Sequence, residues 1–245
     1  MSPPTVAPAR KPRWETGVFW LCWTISLLFL TVFYRMRRYH ADRLPPSGAC
    51  LVVANHQSHL DPPLVGLLST RRPMHFVARI GLFKFKPFGR LITALNSVPI
   101  RDNESDVAAI REVLARLAQG HAVLVFPEGS RSPDGAMHEF KGGVALVLKR
   151  ARCPVVPVAV EGCFDAFPRH RRFPRLLGQR VAVMAGTPIA PDDLLKDGPA
   201  AALERLRQEI DAMRRDLRAR LRAASNGRVP GRVPVGVPVG GPGGD

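Results

Sequence analysis

Short apolar runs alternate with amphipathic stretches from residue 50 onward, and this alternation restricts the possible folds more than any other feature of the chain. Six runs have the length and β-branched content of buried strands. They cover residues 51–54, 75–78, 98–101, 123–126, 155–160 and 181–185. Helical patterns cover residues 105–119, 142–150 and 203–221. This order predicts an α/β domain with a central, mostly β sheet flanked by helices.

An uncharged apolar segment precedes the alternating region. Residues 17–34 contain no charged side chain, and as a helix they would be about 27 Å long against a hydrocarbon core of roughly 30 Å. Trp14, Trp20, Tyr34 and Tyr39 lie near its ends, as interfacial aromatic anchors do. Because both flanks are positively charged, a single span and insertion into one leaflet both fit this segment. We predict an N-terminal membrane-associated helical segment.

Composition divides the chain into four predicted parts. Residues 1–13 are rich in Pro, Ala and Arg and are predicted to be disordered. Residues 14–44 form the hydrophobic, membrane-anchoring segment, and residues 45–224 form the folded α/β domain. Residues 225–245 repeat Gly, Val and Pro without a core pattern, which predicts a disordered tail.

The net charge of +16 indicates an anionic partner, for which nucleic acid and anionic lipid are the usual candidates. A nucleic-acid-binding protein has only this charge in its favour, because no recognition helix, RNP motif or zinc finger is present and the apolar run argues against it. Two further segments, residues 83–88 and 169–175, combine aromatic and basic side chains as lipid-contacting loops do. The four cysteines form no CxxC motif, which favours a reduced protein facing the cytoplasm.

Candidate catalytic residues follow the first apolar run, where His56 and Asp61 stand five positions apart. A neutral imidazole can take a proton from an alcohol, while a carboxylate on the other ring nitrogen fixes the tautomer. The spacing alone also fits a hydrogen-bonded pair at a helix start. His59 adds a metal-site alternative, although no further ligand cluster supports it.

Phe126–Ser132 follows a later apolar run and supplies a second group of polar residues. Gly129 permits a tight turn or the close approach of a ligand, and Arg131 is a planar donor suited to phosphate. Ser130 does not lie in a G-x-S-x-G motif, so its sequence context does not indicate a nucleophile. Arg101 ends another apolar run, and Lys141 opens a helix whose free amides would suit an anion.

Together these motifs resemble, in content and order, those of the glycerolipid acyltransferases, typified by 1-acyl-sn-glycerol-3-phosphate acyltransferase. The NH-x4-D motif matches Asn55, His56 and Asp61, and the second motif matches residues 99–101. The F-P-E-G-x-R-S motif matches residues 126–132, and an apolar V-P-V strand matches residues 156–158. The resemblance covers roughly residues 45–190 and identifies residues 45–224 as an acyltransferase domain.

The resemblance implies that a fatty acyl group passes from acyl-CoA or acyl-carrier protein to the free hydroxyl of 1-acyl-sn-glycerol 3-phosphate, giving phosphatidate. It implies His56 as general base and Asp61 as the residue that orients it, with no metal and no cofactor besides the acyl donor. It implies that Arg101 and Arg131 hold the phosphate of the acceptor and that Glu128 and Gly129 shape the pocket. Ser130 and Lys141 are predicted as further substrate-binding residues from their positions in the sequence. Another lyso-lipid, such as a lyso-ornithine lipid or a glycolipid, is the alternative acceptor. The implied location is the cell membrane, with the catalytic domain at the cytoplasmic face, in contact with the phospholipid bilayer and its anionic lipids.

Overall fold

A seven-stranded sheet forms the centre of the computed structural model, which describes residues 13–100 and 106–231. Its strands are β1 (Arg37–Tyr39), β2 (Cys50–Ala54), β3 (Met74–Arg79), β4 (Ser97–Ile100), β5 (Ala122–Val125), β6 (Val155–Glu161) and β7 (Ala182–Ala185). Their order across the sheet is β1-β7-β6-β2-β5-β3-β4. The α/β prediction is therefore confirmed, and each of the six predicted strands has an observed counterpart.

The strands from β6 to β4 in this order run parallel, while β7 pairs antiparallel with β6. The carboxyl ends of β2, β3, β4, β5 and β6 therefore lie at one edge of the sheet. From β2 the chain passes to strands on one side, and after β5 it crosses back to β6 on the other side. A reversal of this kind opens a crevice at the carboxyl ends of the strands, where α/β proteins bind ligands.

Helices cover both faces of the sheet. They are α1 (Arg13–Tyr34), α2 (Asp61–Gly66), α3 (Lys86–Ala94), α4 (Asp106–Ala118), α5 (Gly142–Ala151), α6 (Cys163–Ala166), α7 (Pro191–Leu195) and α8 (Pro199–Ala223). Short 3₁₀ turns occupy Ala41–Arg43 and Ile80–Phe83. The core of one face contains residues of α1 and α2, and the core of the other contains residues of α4, α5 and α8.

Strand β2 lies at the middle of both cores. Cys50, Val52 and Ala54 belong to the core beneath α1 and α2, while Leu51 and Val53 belong to the opposite core. All five side chains are fully buried. A central parallel strand covered on both faces requires an uninterrupted apolar sequence, which explains the pattern at residues 50–54.

Helix α1 packs only part of its surface against the domain. Phe19, Leu30 and Tyr34 are buried. Four other apolar side chains are more than half exposed: Leu21, Ile25, Leu28 and Val32. Residues Thr16–Tyr34 form a helix that is long and apolar enough to cross a membrane, judged by length and composition. An apolar surface of this size facing water is costly, so it marks a contact surface.

The structure corrects three predicted boundaries. Residues 37–39, which the sequence places in the predicted anchoring segment, form edge strand β1. This strand has only three residues, two of them arginines, so it lacks the apolar pattern of a buried strand. Helix α1 begins at Arg13, within the predicted disordered N-terminus. Residues 225–231, assigned to the disordered tail, are held to α8, where Arg222 donates to the carbonyl of Pro230 at 2.8 Å. The remaining predicted disorder, at residues 1–12 and 232–245, lies outside the described residues.

Candidate active site

Three chain segments meet at the carboxyl edge of the sheet, each following one of three neighbouring strands. The segment after β2 carries His56 and Asp61, the segment after β5 is Phe126–Ser132, and β6 ends in Glu161. Because β2 lies between β5 and β6, the first segment lies between the other two. Polar residues far apart in sequence are thereby brought together.

His56 and Asp61 form a hydrogen-bonded pair. The Nδ1 of His56 lies 2.8 Å from Oδ2 of Asp61, whose side chain is fully buried, whereas 18% of the His56 side chain is exposed. A carboxylate on Nδ1 favours the tautomer that carries its proton there, which leaves the lone pair on Nε2. No described residue hydrogen-bonds Nε2 of His56. The ring can therefore accept a proton from a molecule in the crevice.

The carboxylate of Asp61 also explains the spacing of the motif. Its Oδ2 accepts the backbone amides of Gln57 at 2.5 Å and Ser58 at 2.6 Å, in addition to His56. The chain curls around this one oxygen, and α2 begins at Asp61 with Pro62 following it. A buried carboxylate is costly unless hydrogen bonds compensate it, so these contacts fix the loop and the imidazole together.

The segment after β5 supports His56 from the other side. The ring of Phe126 stacks on the imidazole, with centroids 4.0 Å apart. The amide of Ser132 donates to the carbonyl of His56 at 2.8 Å, and the amide of His56 donates to Oε1 of Glu128 at 2.7 Å. Both backbone polar groups of His56 are thus held by this segment.

Glu128 points inward, although the family resemblance implies an acceptor-binding role for it. Its Oε2 accepts the amide of His138 at 3.1 Å, so its two oxygens join the loops that carry His56 and His138. Burial raises the pKa of Glu128 to about 7, against the opposing effect of the two amides. The carboxyl group of Glu128 therefore holds the backbone amide of His56, whereas Asp61 holds the imidazole ring.

Gly129, Ser130, Arg131 and Lys141 lie around this turn. Gly129 adopts a φ of +69°, and a Cβ there would collide with the side chain of Lys141, which lies across it. Partial burial lowers the pKa of the His59 imidazole, and the nearby charge of Arg131 lowers it further. Ser130 is exposed. Gly129, Ser130 and Arg131 thus belong to the segment that contacts His56, and Lys141 packs against that segment at Gly129. Arg101 lies outside the described residues.

Some of the hydrogen bonds that hold the loop after β2 could not be predicted from the sequence. The side-chain amide of Asn55 donates to the carbonyl of Val160 at 3.0 Å and accepts its amide at 2.8 Å, which extends the pairing of β2 with β6. Gln57 donates to the carbonyl of Gly135 at 3.1 Å and to Oε2 of Glu161 at 3.3 Å. Side-chain amides that replace strand pairing have no sequence signature of their own.

Glu161 connects this loop to helix α8. Its buried carboxylate accepts Nη1 of Arg214 at 3.2 Å and Nη1 of Arg218 at 2.5 Å. The pattern of residues 203–221 predicts an amphipathic helix whose arginines lie opposite an apolar face. Arg214 interrupts that face between Ile210 and Leu217, and this interruption was the available signal.

Two further findings bear on the chemistry of the site. Within residues 13–100 and 106–231, no three His, Cys, Asp or Glu side chains are placed to hold a metal ion. Cys163 is fully buried next to Asp61, and both burial and that carboxylate raise the pKa of its thiol well above the ordinary value. The thiol therefore stays protonated, which makes it a poor nucleophile.

Residues 35–161 match the family described as Acyltransferase. The chain is 32% identical over 139 residues to the 1-acyl-sn-glycerol-3-phosphate acyltransferase BAT2, chloroplastic, of Brassica napus, covering 56% of this chain and 40% of that protein. It is 33% identical over 157 residues to a probable 1-acyl-sn-glycerol-3-phosphate acyltransferase of Mycoplasma pneumoniae, covering 60% and 59%. The chain thus spans about two fifths of the length of the first of these relatives.

The fold is also that of a solved structure. The crystal structure of the 1-acyl-sn-glycerophosphate (LPA) acyltransferase PlsC from Thermotoga maritima superposes with a TM-score of 0.71. The match covers 86% of this chain and 85% of that chain at 24% identity. At this level of identity the likeness establishes the fold.

Replacing Glu128 with glutamine should remove a pH-dependent part of the folding stability. Burial raises its pKa from 4.5 to about 7, so its favourable contribution is fully present below pH 4.5 and is lost as the pH rises toward 7. We expect the stability of the wild type relative to Glu128→Gln to fall by on the order of 3 kcal/mol across this window. Melting curves of both proteins across the window measure this. An increase would mean that the two amide hydrogen bonds outweigh burial.

Arg214→Met should destabilise the protein by about 3 kcal/mol, since it removes one partner of a buried carboxylate. The melting temperature should fall by roughly 10 °C. Arg215→Met is the matched control, because its side chain is 68% exposed and its replacement should change stability by less than about 0.5 kcal/mol. Equal effects of the two substitutions would contradict a structural role for the contact between Arg214 and Glu161.

Proposed function

This chain belongs to the acyltransferase family, and we propose that it moves a fatty acyl group from a thioester to the free hydroxyl of a lysophospholipid. The observation that carries the proposal is the pair of His56 and Asp61 at the carboxyl edge of the sheet, in which no described residue hydrogen-bonds Nε2 of His56. Acyl transfer to an alcohol needs a base at that position and needs no metal.

In the proposed reaction, the hydroxyl oxygen of the acceptor attacks the carbonyl carbon of the thioester. Nε2 of His56 takes the proton of that hydroxyl during the attack. The carbon–sulfur bond then breaks, and the proton passes to the departing thiolate. Asp61 keeps the proton on Nδ1 and stabilises the imidazolium that forms. The protonated thiol of Cys163 and the exposed Ser130 outside a nucleophile motif favour this direct transfer over an acyl-enzyme intermediate.

The proposed acceptor is 1-acyl-sn-glycerol 3-phosphate, with phosphatidate as product in phospholipid biosynthesis. The names of the relatives from Brassica napus and Mycoplasma pneumoniae support this choice. Two cationic side chains support it independently, since Arg131 and Lys141 flank the turn at Gly129 beside His56. A guanidinium and an ammonium suit the phosphate of the acceptor. Arg101 is proposed as a third phosphate contact from the family motif.

Acyl-CoA or acyl-carrier protein is the proposed donor, and no other cofactor is required. The proposed location is the cell membrane with the catalytic domain at the cytoplasmic face. The exposed apolar side of α1 supports the membrane contact, because bilayer lipid would cover a surface that otherwise faces water. The free cysteines support a reducing compartment.

His56→Ala should lower the rate of acyl transfer from acyl-CoA to 1-acyl-sn-glycerol 3-phosphate by about 10²–10⁴-fold, since a general base supplies that much. The rate is measured on the purified full-length protein by lipid mass spectrometry. His59→Ala is the matched control, because it removes an imidazole that does not contact Asp61, and its rate should stay within about tenfold. Normal transfer by His56→Ala would refute the assignment of the base.

An acceptor panel in the same assay separates the proposed acceptor from the alternatives. Lysophosphatidate should react faster than a lyso-ornithine lipid, a lyso-glycolipid or monoacylglycerol, because only lysophosphatidate presents a phosphate monoester to Arg131. The preference over monoacylglycerol should shrink by about 10–100-fold in Arg131→Gln, the loss expected for one charged hydrogen bond. A faster reaction with the lyso-ornithine lipid would refute lysophosphatidate as the acceptor and indicate the lyso-ornithine lipid instead.

The exposed side of α1 should decide membrane association. Replacing Leu21, Ile25, Leu28 and Val32 together by glutamine leaves the buried face intact but removes the apolar contact with lipid. We expect this variant to move from the membrane to the soluble fraction. Val107→Gln, which changes an exposed apolar residue of α4, should not move the protein. Unchanged sedimentation of the quadruple variant would exclude α1 as the anchor.

A further inference from the structure

Residues 169–180 form an exposed surface segment that the proposed reaction does not use. The segment contains five arginines and one histidine and no acidic residue. Its apolar side chains also face outward, since Phe173 is 72% exposed and Leu177 is 78% exposed. A large exposed apolar tip in a segment whose charged residues are all basic is an unusual surface for contact with water alone.

Both ends of the segment are fixed close to the candidate active site. Just before it, the hydroxyl of Ser58 donates to the carbonyl of Phe167 at 2.8 Å, and the ring of Phe167 lies 5.6 Å from that of His59. Just after it, the amide of Val181 donates to the carbonyl of Tyr34, the last residue of α1. The segment therefore joins the carboxyl edge of the sheet to the end of the apolar helix.

Most of the five arginines face solvent. Arg169, Arg171 and Arg172 are exposed, and no carboxylate in the described part of the chain pairs with them. The guanidinium of Arg172 lies 5.8 Å from the centre of the Phe173 ring. A surface of aromatic and aliphatic tips among unpaired arginines complements a surface of acyl chains beneath anionic headgroups.

The same edge of the sheet carries a second exposed apolar site. Phe85, which follows β3, is 70% exposed, and Leu82 is 41% exposed. Lys84 and Lys86 are exposed beside them. Apolar and cationic side chains therefore flank the carboxyl edge on two sides, which favours one extended lipid surface facing this edge over an isolated contact.

We propose that residues 169–180 are a second membrane contact, which inserts Phe173 and Leu177 below the headgroups of an anionic leaflet while the arginines bind the lipid phosphates. The proposal rests on the membrane location in the proposed function but not on the reaction. It brings the crevice at His56 against the bilayer, so that a lipid acceptor can reach the base with its acyl chain still in the leaflet. A nucleic acid would use the arginines but would leave the exposed leucine side chains in water.

A polarity-sensitive fluorophore at position 173 tests the proposal. The full-length protein carries Phe173→Cys in a Cys22→Ser background, because the other three native cysteines are buried. It is reconstituted into vesicles of phosphatidylcholine with or without phosphatidylglycerol. We expect emission to shift to shorter wavelength in the anionic vesicles and to be quenched by lipid-borne spin labels. The same fluorophore at Lys149→Cys, on α5, should emit as in water.

A charge variant tests the arginines. Arg169→Gln, Arg171→Gln and Arg172→Gln together should abolish the emission shift at position 173 in anionic vesicles. Lys149→Gln with Arg150→Gln, exposed residues near the end of α5, is the control for general charge loss and should preserve the shift.

The proposal is overturned if the position 173 fluorophore emits as in water while flotation shows the protein on the vesicles. It is also overturned if a duplex oligonucleotide, but not vesicles, changes the emission. Acyl transfer is measured on the same samples. If acyl transfer occurs while the fluorophore at position 173 stays in water, only the membrane contact of residues 169–180 is refuted. If the fluorophore inserts but no acyl transfer occurs, only the proposed function is refuted.

Discussion

The hydrogen bonds of the buried Asp61 carboxylate hold the candidate site together. One oxygen accepts from the imidazole of His56 and from the amides of Gln57 and Ser58. A fully buried charge of this kind is tolerated only while its partners stay in place, so the cost of exposing it keeps the loop in one conformation. The orientation of the His56 ring is therefore part of the folding of the loop.

Two more buried carboxylates extend this arrangement across neighbouring strands. Glu128 follows β5 and accepts a hydrogen bond from the backbone amide of His56. Glu161 ends β6 and accepts hydrogen bonds from the side chains of Gln57, Arg214 and Arg218. The three groups differ in charge compensation. Burial raises the pKa of both glutamates, to about 7 for Glu128; two guanidinium groups on α8 oppose this effect at Glu161, and two backbone amides oppose it at Glu128. The parallel strands bring all three to one edge, which makes the site a property of the sheet.

Exposed apolar side chains lie near the same edge, and such side chains suit contact with lipid. Helix α1, one side of which is exposed, ends at Tyr34, whose carbonyl accepts a hydrogen bond from Val181, just after the segment that carries Phe173 and Leu177. A reaction that joins an acyl chain to a lysolipid gains from an active site at the bilayer surface, because neither chain must then cross water at a cost of about 0.8 kcal/mol per methylene group. The common direction of the central strands explains why His56, Phe126–Ser132 and Glu161 lie at one edge of the sheet.

The sequence by itself predicted six of the seven strands of the described sheet, its four longest helices and the α/β class, and it indicated His56 and Asp61 as a candidate pair. Each of these depends on residues close together in the chain. Apolar periodicity predicts buried strands, and the curl that lets residue 61 reach residue 56 is local. Only the tertiary structure decided the inward role of Glu128, the Asn55 contact with Val160, and the reach of Arg214 to Glu161. These contacts join residues 53 to 105 positions apart, so sheet order and burial create them, and no local pattern carries them.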